Sequence, residues 1–88
     1  MTVTLLDLPD GWCSLEFDPS DIPSLASAIR NRYGVPKQEE HPTYIRYWFG
    51  GCSFVYYNQW DDPCLISNSA EGTAILKIIH DALNSPAE

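Results

Sequence analysis

The chain has 88 residues, five Lys and Arg against twelve Asp and Glu, a formal net charge of -7, and 44% hydrophobic residues. It lacks the clustered cations that displace counterions from a nucleic-acid backbone, and an anionic membrane surface repels it. With only 19% charged residues it is too apolar for an acidic disordered tail, and its length fits one small domain over residues 1–88 with a single thin core.

In chain order, residues 3–8 read as a strand, Pro9-Asp10-Gly11 as a turn and residues 12–17 as a second strand, with Cys13, Leu15 and Phe17 on one face and Trp12, Ser14 and Glu16 on the other. Asp18-Pro19-Ser20-Asp21 opens a helix, with Ser20 or Asp21 as its cap and Pro23 in its first turn. Ile22, Leu25, Ala26, Ile29 and Tyr33 form its apolar stripe, and Gly34 with Pro36 ends it. Residues 35–42 are polar and read as an exposed loop. Residues 43–58 hold two aromatic-rich runs around Gly50-Gly51, a pair suited to a two-residue primed turn. That register sets Phe49 opposite Cys52, Tyr47 opposite Phe54 and Ile45 opposite Tyr56. On the reverse face it sets Trp48 opposite Ser53, Arg46 opposite Val55 and Tyr44 opposite Tyr57. Residues 59–63 form a wider loop before a short strand over 64–67. Ser67-Asn68-Ser69 then caps a last helix ending near Asn84, with Ala74, Ile75, Ile78, Ile79, Ala82 and Leu83 as its apolar face and Gly72 as a local cost of roughly 1 kcal/mol.

The expected fold is α+β: a two-layer sandwich of ββαβββα order, with a mainly antiparallel five-stranded sheet and both helices on one face. The other face then meets solvent. Of the two faces defined by the Gly50-Gly51 register, the one bearing Tyr44, Arg46, Trp48, Val55 and Tyr57 carries the charge, so it is assigned to solvent, with Trp12 and Glu16 extending it. Tyr, Trp and Arg are the types enriched at interface anchors. Cross-strand aromatic pairing that merely stabilises the sheet would use the same residues. Trp60 adds a loop anchor, and Asp61-Asp62, otherwise turn formers, add carboxylates.

Little in the chain points to catalysis. The N-terminus has no basic region followed by a sustained apolar run, so no signal peptide is expected, and no apolar stretch approaches the ~20 residues of a membrane span. The three cysteines, Cys13, Cys52 and Cys64, are odd in number and form no Cys-x-x-Cys pair, which fits reduced thiols in a cytoplasmic protein better than disulfides or zinc. Cys13 and Cys52 fall on core faces; Cys64 is the more open. His41 lies in a polar loop and His80 on the last helix, and no spacing recommends either as a base for Cys64. No phosphate loop, nucleophile elbow or metal-ligand motif is present, so no enzyme activity, metal or cofactor is expected.

Acidity is uneven. Residues 1–29 hold Asp7, Asp10, Glu16, Asp18 and Asp21 with no Lys or Arg, whereas residues 30–46 spread Arg30, Arg32, Lys37 and Arg46 against Glu39 and Glu40 and are only modestly basic. The expected function is binding and neutralising or regulating a basic protein partner, such as a toxin met by its immunity protein or antitoxin, or a nucleic-acid-binding machine. Trp12, Glu16, Tyr44, Arg46, Trp48, Tyr57, Trp60, Asp61 and Asp62 are the candidate partner-binding residues. The alternatives are a small-molecule-binding or cysteine-dependent domain with Cys64 at its edge, and an accessory structural dimer. Neither direct nucleic-acid nor membrane binding is expected, and both a monomer and a homodimer fit.

Overall fold

The computed structural model describes residues 3–59 and 62–84. Strand β1 (Thr4–Asp7) and strand β2 (Cys13–Glu16) form a hairpin about the 3-10 turn Pro9–Gly11, closed where Leu8 N–H donates to Trp12 O at 2.8 Å. A second 3-10 turn, Pro19–Asp21, feeds helix α1 (Ile22–Tyr33). The buried Asp21 carboxylate accepts the Asp18 N–H at 3.3 Å, so it locks this turn instead of capping α1. Gly34, at φ 80°, ends the helix by donating its N–H to Arg30 O.

Residues 37–40, expected within an exposed loop, instead form strand β3 (Lys37–Glu40), antiparallel to strand β4 (Ile45–Phe49). The sheet therefore has six strands, not five, and the element order is ββαββββα. The segment has little strand propensity of its own. It is recruited by the edge of β4, where Glu39 lies opposite Arg46 and Lys37 opposite Trp48. The Lys37 ammonium stands 5.7 Å from the Trp48 ring centroid.

Strand β5 (Cys52–Gln59), strand β6 (Asp62–Ser67) and helix α2 (Ala70–Asn84) complete the chain. The sheet order is β1-β2-β6-β5-β4-β3, antiparallel throughout. Both helices lie on one face, and a single core joins Cys13, Leu15 and Phe17 to Leu25 and Ile29 of α1, Phe49, Phe54 and Leu65 of the sheet, and Ile75, Leu76 and Ile79 of α2. The α+β class is as expected. Ser69 Oγ caps α2 by accepting the Gly72 N–H at 3.0 Å. Gly72 is more than a cost, because a Cβ there would lie 2.4 Å from Oγ of Ser67, itself fully buried. Among the described residues no helix is long and apolar enough to cross a membrane.

Tyr47 and Tyr56 pack against this core. Burial pushes both phenols above their ordinary range; the Glu40 charge adds to the effect on Tyr47, and Tyr47 and Cys64 add to it on Tyr56. Below about pH 10 the phenols are protonated in folded and unfolded chains alike; above it the unfolded chain ionises first, so stability falls as pH rises. Urea midpoints should show this alkaline decline, and the Tyr47→Phe, Tyr56→Phe double variant should flatten it. An unchanged slope would show that neither phenol is held from water.

Candidate interaction surface

The Gly50-Gly51 turn sets the geometry of the open face. Both glycines have positive φ, 63° and 79°, as a primed hairpin turn requires. The β4–β5 register is the expected one from Ile45 to Phe49, including Arg46 opposite Val55 and Trp48 opposite Ser53, and Tyr44 lies just before β4. Because faces alternate along each strand, one row then crosses the whole sheet: Leu6, Ser14, Ile66, Val55, Arg46 and Glu39. Neither helix covers this row.

On this face Tyr44, Arg46 and Tyr57 form a contiguous cluster. The Tyr44 and Tyr57 rings are 6.0 Å apart and tilted by 54°, and the Arg46 guanidinium carbon lies 5.9 Å from the Tyr44 centroid. His41 stacks on Tyr44 at 4.5 Å, and its Nε2 is 2.6 Å from a Glu39 carboxylate oxygen. Tyr44, Arg46 and Tyr57 border a concavity of about 230 Å³ whose remaining wall comes from Trp12, Ser53, Val55, Ile66 and Asn68. Trp12, 46% exposed, forms the outer lip.

Of the expected site residues, Trp12, Tyr44, Arg46 and Tyr57 meet in this concavity. Trp48 lies on the same face beyond Arg46, beneath Lys37. Glu16 belongs to the row that continues through Cys64 and Tyr57. Asp62 pairs with Gln59 at the start of β6; its side chain, together with Trp60 and Asp61, lies outside the described residues. Sequence reasoning missed Ile66 and Asn68, which join the site only because β6 pairs with β5, and Lys37, Glu39 and His41, which arrive with β3. The match of Glu39 to Arg46 was the available signal, once the run before the hairpin is read as a strand.

The charges of the face balance among the described residues, with Glu16 and Glu39 against Lys37 and Arg46. Acidity lies elsewhere: Asp18 is exposed in the turn before α1, and Glu71 and Asp81 are exposed on α2. The thiols divide in the same way. Cys13 is fully buried, and burial pushes its thiol up, with Asp7 adding and Lys77 opposing. Cys52 packs on the core, while Cys64 belongs to the open face, paired with Glu16 and Tyr57. His80 sits on α2 with its Nδ1 3.2 Å from an Asp81 carboxylate oxygen. Among the described residues no three or more His, Cys, Asp or Glu gather in a way that could hold a metal ion.

Comparison of the chain with protein-family models, with curated proteins and with solved structures found no match.

Proposed function

We propose that this is a cytoplasmic protein-binding domain that neutralises or regulates a basic protein partner through the open face of its sheet. The carrying observation is the aromatic concavity around Arg46, formed by Trp12, Tyr44 and Tyr57 on the sheet face opposite α1 and α2. The exposed Trp12 ring and the partly exposed Tyr44 and Tyr57 rings supply contact area at low side-chain entropy cost, and Arg46 supplies fixed donors for the partner's carbonyl or carboxylate oxygens. The acidic excess acts at longer range. A field set by a net charge of -7 attracts a basic partner before the aromatic contacts form. A basic toxin, or a nucleic-acid-binding machine whose cationic surface is blocked, is the kind of partner this arrangement suits.

The test is parallel affinity capture from the native host with wild-type, Trp12→Ala and Trp48→Ala baits, followed by binding kinetics on the captured partner. Each alanine variant should weaken binding by about 2 kcal/mol, roughly thirtyfold, while melting within a few degrees of wild type. The association rate should fall as salt rises. A partner that both variants bind at full strength would remove the aromatic face from the mechanism, and a salt-independent association rate would remove the electrostatic part.

A further inference from the structure

The helical side carries a second concavity. The α1 stripe of Ile22, Leu25, Ala26 and Ile29 is only half covered: Leu25 and Ile29 are buried, whereas Ala26 is exposed and Ile22 is 36% exposed. Val35, just beyond the helix, is 80% exposed. The gap between α1 and the sheet is a cleft of about 290 Å³ lined by these apolar side chains and by Phe17, Tyr47 and Tyr56. That volume matches the lower end of small-molecule sites, about 300–1,000 Å³.

The polar groups of the cleft point to the charge of its occupant. Arg30 and Gln38 stand on its wall. The Arg30 guanidinium makes no ion pair among the described residues. The Tyr47 and Tyr56 hydroxyls, protonated at neutral pH as ordinary phenols are, find no hydrogen-bond partner among the described residues. All four groups can donate. An anionic oxygen suits them, and because the Glu40 charge is felt at Tyr47, the favoured position for that oxygen is at Arg30.

We propose that this cleft binds a small amphipathic carboxylic acid, its apolar body between α1 and the Tyr47–Tyr56 floor and its carboxylate on Arg30. The site is on the opposite side of the sheet from Trp12, Tyr44 and Tyr57, so it is independent of the protein-binding face. It also lies away from the open face to which Cys64 belongs.

Amide NMR titration with decanoate and decyltrimethylammonium below their micelle concentrations, and with decanol below its solubility limit, tests the proposal. Decanoate should bind saturably, shifting the amides of Ile22, Ala26, Val35 and Tyr47, and about tenfold more tightly than decanol. The cation should bind more weakly than either. Arg30→Gln, a surface change that spares the fold, should bring decanoate down to the affinity of decanol. Ala26→Trp should fill the cleft and abolish both, whereas Trp12→Ala should change neither. Binding of the cation as tight as that of the acid, shifts gathered at Trp12 and Tyr57, or an Arg30→Gln variant that keeps the full preference for the acid would each overturn the assignment.

Discussion

Phe54→Ala is expected to cost about 3–5 kcal/mol of folding free energy. Phe54 sits on a central strand, is 1% exposed, and stacks on Phe49 with ring centroids 4.3 Å apart and planes 15° from parallel. Truncation removes the transfer free energy of the ring and leaves a cavity between sheet and helices that neighbouring side chains fill only partly. For a domain of this length the whole stability is of order 4–13 kcal/mol, so the variant should unfold at far lower urea and lose near-ultraviolet ellipticity. Val55, the next residue, faces the open side. Val55→Ala should cost under about 1 kcal/mol. Equal losses at the two positions would mean that the sheet presents the other face to its helices.

Gly50→Ala is the second large effect, at about 2–4 kcal/mol against about 1–2 for Gly51→Ala. Both glycines occupy the left-handed region, so both substitutions are strained. Only Gly50 also abuts side chains: a Cβ there would lie 2.7 Å from the terminal Cδ1 of Ile75, which would have to swing aside, and 3.2 Å from two ring carbons of Tyr33, whereas at Gly51 nothing lies within 4 Å. The hairpin tip thus touches both helices at once. Urea unfolding of the two variants isolates this packing contribution, and equal midpoints would show that the tip does not pack against them.

The same turn explains why so much of the open face was legible beforehand. Two glycines between aromatic runs specify a primed turn, the turn specifies the register, and the register specifies the faces. Charge on one face then indicates which meets water. Tyr44, Arg46, Trp48 and Tyr57 follow from that reasoning alone. Ile66 and Asn68 do not, because their place depends on β6 lying between β2 and β5, which no local pattern encodes. On α2 the broad apolar face left rotation undecided: Leu76 is fully buried although it falls outside the expected set, and Ile78, inside that set, is 46% exposed. The α1 stripe was legible as apolar. That Ile22 and Ala26 would remain uncovered was not, since coverage depends on how far α1 stands from the sheet.

Strand β3 was invisible for a related reason, and its composition has a consequence for solubility. A sheet margin offers unpaired N–H and C=O groups to any passing chain, and proteins blunt such margins with short strands and charge. One margin here is β1, only four residues long. The other is β3, equally short, where Lys37, Gln38, Glu39 and Glu40 are all exposed. A further strand docking there would strip water from three charged side chains around a four-residue ladder. The segment least suited to being a strand is therefore the one that stops the sheet from growing, and the aromatic hairpin beside it is shielded from edge-to-edge aggregation.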